Sequence, residues 1–147
     1  MAGPLRFAVV GLGDIAQRAV LPAFSHARSR ATLAALVSGE PKKRRILAAR
    51  FRDAIACGYD DYDDLLSSGT VDAVYIALPN EMHADFVLRA LKAGIHVLCE
   101  KPLATTVADA RAVRRAAQRA MVQFMVAYRL HFDPATLQAI DLARDRR

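Results

Sequence analysis

Tryptophan is absent from this chain of 147 residues, cysteine occurs only twice, and long apolar runs are missing. Cys57 and Cys99 are too few for a disulfide framework and too far apart for a paired-cysteine metal site, so we expect buried free thiols and no metal. The most apolar stretch, residues 71–79, is far shorter than the roughly 20 residues of a membrane helix. Residues 1–6 have no signal-peptide pattern. We therefore expect a soluble, cytoplasmic protein that has no membrane partner.

Lysine is also scarce, and arginine supplies most of the 21 basic residues that give the chain a net charge of +6. A basic surface can bind nucleic acid by neutralising its phosphates. Here the charges are spread along predicted helices, with one local cluster at Lys42-Lys43-Arg44-Arg45. No nucleic-acid recognition motif or aromatic platform accompanies them, so we expect no nucleic-acid partner.

Apolar runs alternate with amphipathic stretches, as is typical of a parallel sheet that helices cover on both faces. The predicted strands are Leu5–Val10, Thr32–Val37, Ala54–Cys57, Asp72–Leu78, His96–Cys99 and Gln123–Tyr128. The predicted helices are Asp14–Ser29, Pro41–Phe51, Tyr62–Ser68, Met82–Ala93, Val107–Arg119 and Ala135–Arg147. Six strands joined by helices predict an α/β fold with a doubly wound parallel sheet in the order 3-2-1-4-5-6.

Several local signals fix the ends of these helices. Pro41 suits a first helical turn, and Gly94 suits the position just after a helix. Thr106 and Asp109 have the spacing of a capping box, and Asp133 followed by proline predicts the start of the last helix. Pro22 lies inside the first predicted helix, where we expect it to produce a kink.

A glycine loop follows the first predicted strand. Gly11, Leu12, Gly13, Asp14 and Ile15, followed by Ala16, have the form G-x-G-x-x-A. In a dinucleotide site the first glycine permits the tight turn and the second lets the backbone approach the pyrophosphate. The pyrophosphate would lie at the N-terminus of the first helix. The alternative is a purely structural turn, but the position between the first strand and a helix favours a nucleotide site.

The end of the second predicted strand bears on the choice of cofactor. An acidic residue there would bind the adenosine ribose of NAD, whereas this chain has Ser38-Gly39-Glu40 with Lys43 nearby. A hydroxyl and a cation suit the 2′-phosphate of NADP, so the pattern favours NADP over NAD. Glu40 is evidence against a preference for NADP, because its carboxylate could reach the adenosine ribose as an acidic residue does in NAD sites. The basic cluster that contains Lys43 could also be a solvated helix face.

Two further strand ends add polar groups to the same edge of the predicted sheet. The fourth strand runs into Leu78-Pro79-Asn80, where Asn80 could line the crevice or cap the next helix, and His83 could lie on the surface. The fifth strand ends in Glu100-Lys101. Glu100 could accept hydrogen bonds from a ribose, and Lys101 could donate to a substrate oxygen. The alternative is an ordinary surface ion pair.

Taken together, these motifs resemble the glucose–fructose oxidoreductase / inositol dehydrogenase (Gfo/Idh/MocA) family, and especially its glucose–fructose oxidoreductase branch. The shared residues are Gly11-Leu-Gly13, Val37-Ser-Gly39 with Lys43, Ala73-Val-Tyr-Ile76, Pro79-Asn80 with His83, Ala93-Gly94, Cys99-Glu-Lys-Pro-Leu-Ala-Thr105, Val107-Ala-Asp109, and Tyr128-Arg129 followed by His131-Phe-Asp-Pro134. One departure is Val126-Ala127, where relatives often have a glycine. The resemblance implies a Rossmann fold.

The resemblance also implies roles for individual residues. Ser38 and Lys43 would hold the extra phosphate of NADP, and Tyr59 would lie near the adenosine. Lys101 would be the catalytic residue. The full set of expected cofactor-binding residues is Gly11, Leu12, Gly13, Asp14, Ile15, Ser38, Gly39, Lys43, Tyr59, Leu78, Pro79, Asn80, His83, Glu100, Lys101 and Arg129. Within this set the resemblance assigns Asn80, Glu100 and Arg129 to the nicotinamide side.

The expected function is that of an NADP-dependent oxidoreductase acting on a sugar or polyol. Residues 1–147 would form one dinucleotide-binding domain of that enzyme. The resemblance implies that family members continue into a substrate domain that also carries the oligomer interface, and we expect both to be absent from this chain. The alternative is a truncated or non-enzymatic NAD(P)-binding module that has no catalytic activity by itself.

Overall fold

The computed structural model describes residues 3–145, which form six strands connected by helices. The strands are β1 (Leu5–Val10), β2 (Ala31–Val37), β3 (Ile55–Cys57), β4 (Ala73–Ile76), β5 (His96–Cys99) and β6 (Phe124–Val126). The α-helices are α1 (Leu21–Ala23), α2 (Pro41–Arg50), α3 (Tyr62–Ser67), α4 (His83–Lys92), α5 (Val107–Arg119) and α6 (Pro134–Arg144). A π-helical segment, Ala16–Val20, precedes α1, and the 3₁₀ turns Asn80–Met82 and Arg129–Phe132 follow β4 and β6.

All six strands are parallel and lie in the order β3-β2-β1-β4-β5-β6, so the predicted doubly wound sheet is confirmed. β1 lies at the centre, between β2 and β4. Strands β2 and β3 are added on one side of β1, and the next three strands are added on its other side. This switch point between β1 and β4 leaves a crevice at the carboxyl ends of the two central strands.

The sheet is covered on both faces because neighbouring residues of a strand point to opposite sides. Ala8 and Val10 of β1 pack in the larger hydrophobic cluster with α3, α4 and α5, whereas Val9 packs in the smaller cluster with the π-helical segment and α2. Both clusters contain fully buried valine side chains. The near-continuous apolar character of the strands follows from this two-sided burial.

The first helix differs from its prediction. Instead of running from Asp14 to Ser29, the helical segment becomes π-helical at Ala16–Val20 and ends as α1 at Ala23. Pro22 has no amide hydrogen for a bond to the carbonyl of Arg18, four residues earlier, so the regular helix is interrupted in the π-helical segment. After Ala23 the amide of Ser25 donates to the carbonyl of Pro22 in a turn. The helical segment therefore ends before the predicted Ser29, and the kink at Pro22 stays a prediction.

Smaller differences occur at other element ends. β4 stops at Ile76 instead of Leu78 because Pro79 follows and a 3₁₀ turn begins at Asn80. β6 is shorter than the predicted Gln123–Tyr128. The predicted caps at Thr106 and Asp133 are confirmed, since their side chains accept from the amides of Asp109 and Thr136 respectively.

The last predicted helix begins at Pro134, and α6 ends at Arg144. The predicted end at Arg147 lies outside the described residues. Cys99 is a buried thiol as expected, but Cys57 is partly exposed at the end of the short edge strand β3. Within residues 3–145, no helix is long and apolar enough to cross a membrane, and no cluster of potential metal ligands occurs.

An ion pair joins β1 to the start of β4 at the end of the sheet opposite the crevice. Arg6 Nη2 lies 2.6 Å from Asp72 Oδ1, and Arg6 Nε donates to Asp72 Oδ2 at 3.0 Å. The same oxygen accepts from the backbone amide of Arg6. These hydrogen bonds favour the charged carboxylate and lower the pKa of Asp72 from 3.8 to about 2.

We predict that Asp72→Asn lowers the Tm at neutral pH by roughly 1–3 °C, because the pair is solvent-exposed and contributes modestly. A carboxylate whose pKa is lowered by folding stabilises the protein above its ordinary pKa of 3.8 and loses that contribution as pH falls towards about 2. The difference in Tm should therefore shrink over this range in thermal melts. Asp14→Asn, which removes a more exposed pair with Arg18, should leave the Tm nearly unchanged. A Tm difference between Asp72→Asn and the unmodified protein that does not change with pH would contradict the lowered pKa of Asp72.

Candidate functional site

A cleft of about 920 Å³ opens at the carboxyl ends of β4, β5 and β6. It is the largest of the described cavities, and it lies where an open α/β sheet binds ligands. The cleft is lined by Ile15, Ala77, Leu78, Asn80, His83, Glu100, Lys101, Ala127, Tyr128, Arg129, Leu130, Phe132, Asp133 and Pro134. Seven residues predicted from sequence are thus brought together: Ile15, Leu78, Asn80, His83, Glu100, Lys101 and Arg129.

The glycine loop forms the floor between β1 and β4. Gly11 has a φ of +91°, and a Cβ there would lie 2.3 Å from the carbonyl oxygen of Ala77. By contrast, a Cβ at Gly13 would meet no atom within 4 Å. Internal packing therefore demands glycine at position 11 but not at position 13. The open space over Gly13 fits the close approach of a dinucleotide pyrophosphate to the backbone.

The other residues of the loop have distinct surroundings. Leu12 is buried in the smaller hydrophobic cluster, and Ile15 is partly exposed at the cleft. The Asp14 carboxylate pairs with Arg18 at 2.8 Å on the surface. Any contact of Leu12 or Asp14 with a cofactor would therefore be made by the backbone, as at helix N-termini that bind phosphate.

The end of β2 forms a second polar region next to the glycine loop, since the Gly11 amide donates to the carbonyl of Val37. Ser38 is 3% exposed, and its Oγ accepts from the amide of Glu40 at 3.2 Å. Its carbonyl accepts from Arg44 Nη1 at 2.5 Å. Lys43 Nζ lies 2.6 Å from Glu40 Oε1, so Glu40 is paired with a neighbouring cation of its own helix.

Gly39 and Tyr59 also meet in this region. A Cβ at Gly39 would lie 2.8 Å from Cε2 of the Tyr59 ring, so the ring packs directly on the glycine backbone. Tyr59 is further held by an edge-to-face contact with Phe86, with ring centroids 5.3 Å apart. An aromatic ring fixed in this way next to Ser38 is suited to contact a nucleoside.

At the end of β4, Asn80 begins the 3₁₀ turn, where it is exposed and lines the cleft. His83 has 0% exposure, and the surface alternative for it is wrong. Its ring lies between two loops: Nδ1 is 2.6 Å from the carbonyl oxygen of Pro102, and Nε2 is 2.9 Å from that of Leu78. This histidine ties the β4 loop to the β5 loop. Its contact with a cofactor stays a prediction.

Glu100 lies directly after β5, and its amide donates to the carbonyl of Ile76 at 2.9 Å. The hydroxyl of Tyr75 donates to Glu100 Oε1 at 2.6 Å, which the sequence reasoning missed. Tyr75 belongs to a predicted strand and to the shared run Ala73-Val-Tyr-Ile76, but no local signal connects it with a residue 25 positions later. The other carboxylate oxygen, Oε2, accepts from the backbone amide of Lys101 at the longer distance of 3.3 Å.

Lys101 and Arg129 bring positive charge to the same cleft. Lys101 is exposed, and no ion pair with it is formed by any residue between 3 and 145. Arg129 begins the 3₁₀ turn after β6, and its charge opposes the rise in the pKa of Tyr75. The surface-ion-pair alternative for Glu100 and Lys101 is therefore wrong in this structure, because the carboxylate pairs with Tyr75.

Comparisons with known proteins identify the family of the chain. Residues 5–128 match the family described as "Oxidoreductase family, NAD-binding Rossmann fold" (GFO_IDH_MocA). The chain is 36% identical over 138 residues to D-xylose 1-dehydrogenase (NADP(+)) 2 from Haloferax volcanii, which covers 94% of this chain and 41% of that protein. The chain therefore belongs to the Gfo/Idh/MocA family of oxidoreductases.

Two solved structures extend the comparison. Aldose-aldose oxidoreductase from Caulobacter crescentus has a TM-score of 0.89 and 38% identity, over 97% of this chain and 43% of that one. A 3-ketoreductase from Actinomadura kijaniata, in complex with NADP and TDP-benzene, has a TM-score of 0.85 and 34% identity, over 97% and 42% respectively. The chain thus spans less than half the length of these relatives.

The two glycines of the loop give a matched pair of variants. We predict that Gly11→Ala lowers the free energy of unfolding by about 1–3 kcal/mol, because a positive φ is strained and the Cβ would clash with the Ala77 carbonyl. Gly13→Ala should leave stability nearly unchanged but weaken NADPH binding by about tenfold or more, since its methyl group would occupy the space over the loop. Denaturant unfolding and fluorescence titration would measure the two effects. Equal losses of stability in both variants would contradict the packing role of Gly11 and the binding role of Gly13.

Proposed function

We propose that this chain is the nucleotide-binding part of an NADP-dependent oxidoreductase that acts on a sugar or polyol. The observation that carries the proposal is the convergence of Glu100, Lys101 and Arg129 in one cleft beside the Gly11–Gly13 loop. The proposal is supported by the names of the relatives, which include D-xylose 1-dehydrogenase (NADP(+)) and an aldose-aldose oxidoreductase.

The preference for NADP is supported by the end of β2. Ser38 occupies the position where an acidic residue would favour NAD, and its Oγ–H remains able to donate. Lys43 is the nearby cation, and it would exchange its partner Glu40 for a 2′-phosphate. The Glu40 carboxylate, held 2.6 Å from the lysine, neutralises part of this charge and limits the size of the preference.

On the nicotinamide side, Asn80, Glu100 and Arg129 would position the cofactor. The bound nicotinamide would supply the hydride chemistry. Lys101 would donate a hydrogen bond to the substrate oxygen and move a proton to or from it, because its ammonium is exposed at the cleft without an ion-pair partner in residues 3–145. Leu130 and Phe132 would form an apolar wall near the substrate.

A second candidate is a binding module that holds NADP but has no catalytic activity by itself. The observation that favours it is the exposure of Leu130 at 66% and Phe132 at 68% on the β6 side of the cleft. Large apolar side chains at a ligand site are usually covered. For catalysis, a further surface that covers these two side chains would have to fix a substrate within about 3–3.5 Å of the reacting atoms.

We predict that the chain binds NADPH more tightly than NADH by about ten- to a hundredfold, since a charge-assisted contact to phosphate contributes roughly 1.5–3 kcal/mol. Fluorescence titration with both cofactors would measure this preference. Lys43→Ala should narrow the gap without changing NADH affinity, whereas Arg45→Ala, in the same basic cluster, should have little effect. Equal affinities, or tighter binding of NADH, would overturn the assignment to NADP.

We also predict that Lys101→Met reduces turnover of aldoses or polyols by about 10²–10⁴-fold in an enzyme complete with a substrate domain. NADP affinity should stay nearly unchanged because methionine retains most of the side-chain volume. Steady-state rates with a sugar panel, together with NADPH titrations, would separate the two effects. A parallel loss of cofactor affinity would make Lys101 a cofactor ligand. If the unmodified complete protein bound NADPH but turned over no sugar or polyol, the non-catalytic module would be favoured.

A further inference from the structure

The orientation of the Glu100 carboxylate depends on a residue behind the cleft. Tyr75 lies on β4 and is paired in register with Leu98 of β5, two residues before Glu100. This placement brings the tyrosine hydroxyl within 2.6 Å of Glu100 Oε1. The backbone of Glu100 is held separately, since its amide donates to the carbonyl of Ile76. Main chain and side chain of Glu100 are therefore fixed by neighbouring residues of one strand.

Tyr75 does not line the cleft itself. Its ring packs against the smaller hydrophobic cluster, which includes Val9, Leu12 and Ala16, on the face of the sheet that carries the π-helical segment. Burial, followed by the hydrogen bond and the negative charge of Glu100, raises the pKa of Tyr75 well above its ordinary value. The hydroxyl therefore remains protonated at working pH and acts as a donor to the carboxylate.

The hydrogen bond leaves one side of the carboxylate available. Oε1 accepts the short bond from Tyr75, while Oε2 accepts only the longer 3.3 Å contact from the Lys101 amide within residues 3–145, so Oε2 is the less engaged oxygen and can accept a further hydrogen bond. We propose that Tyr75 is a positioning residue, which holds the Glu100 carboxylate so that Oε2 accepts a hydrogen bond from the nicotinamide-side ribose. This inference rests on the proposed binding of NADP in the cleft.

The physical basis is the ordering of a flexible side chain before the ligand arrives. A glutamate has several rotatable bonds, and an unrestrained Glu100 would be drawn towards the positive charges of Lys101 and Arg129 in the same cleft. Ordering it during binding would reduce affinity. A hydrogen bond from the partly buried Tyr75 removes this requirement, because its ring is already held by packing against the smaller hydrophobic cluster.

The test compares Tyr75→Phe with the unmodified protein by calorimetric titration of two ligands. NADPH reaches both ends of the proposed site, whereas adenosine 2′,5′-bisphosphate lacks the nicotinamide and its ribose. We expect Tyr75→Phe to weaken NADPH binding by roughly three- to tenfold. Affinity for the bisphosphate should be unchanged. A general structural defect would instead weaken both ligands, and that result would overturn the proposal, as would equal NADPH affinity in the two proteins.

Tyr62→Phe is the matched control, because it removes a second tyrosine hydroxyl that donates a hydrogen bond, here from a buried ring to the Phe86 carbonyl at 3.3 Å. It should change neither affinity. In a Glu100→Ala background, Tyr75→Phe should have no further effect on NADPH binding, since Tyr75 acts through Glu100. A loss that persists in that background would show direct contact by Tyr75 and overturn the positioning role. Failure of the unmodified protein to bind NADPH would refute the proposed function itself, and the inference with it.

Discussion

The close approach of Gly11 to the carbonyl of Ala77 determines the shape of the site. No side chain can be accommodated between these two backbones, because a Cβ would lie 2.3 Å from the oxygen. β1 and β4 therefore remain adjacent up to their ends, and the Ala77 amide still donates to the carbonyl of Val10. After β1 the chain turns to one face of the sheet, and after β4 it turns to the other face. The π-helical segment that follows β1 and the helix α4 that follows β4 therefore pack in different clusters. The crevice is the space between the two departing segments.

The polar groups reach this crevice through a second set of backbone contacts. His83 is fully buried, and its ring connects the carbonyls of Leu78 and Pro102. The β4 and β5 loops are therefore coupled, and Glu100 and Lys101, which lie just before Pro102, are held relative to Asn80. Fixed polar groups are what a binding site for a small polar ligand requires, since ordering them later would reduce affinity.

Local patterns in the sequence were sufficient for the strand order, the glycine loop and the two helix caps, because each depends on neighbouring residues or on periodic burial. The π-helical geometry at Ala16–Val20 and the early end of α1 were not predictable from periodicity, which continues beyond Pro22. The Tyr75–Glu100 hydrogen bond depends on the register between β4 and β5, which no local signal contains. The ion pair between Glu40 and Lys43 was not predictable either, because the carboxylate of Glu40 could bind the cofactor ribose or a neighbouring lysine.

The two ends of the site are built differently, and this difference has a functional consequence. At the end of β2, Ser38 is buried and the Tyr59 ring is packed against Gly39 and Phe86, so the region proposed to bind the adenosine is already ordered. At the other end, Leu130 and Phe132 are exposed, and Lys101 extends into open space. Affinity for a dinucleotide can therefore come mainly from the adenosine side, independently of what contacts the nicotinamide side. Changes around Leu130 and Phe132 would then alter the substrate without disturbing cofactor affinity. Such a separation is consistent with relatives whose names differ in substrate, such as the D-xylose 1-dehydrogenase and the aldose-aldose oxidoreductase.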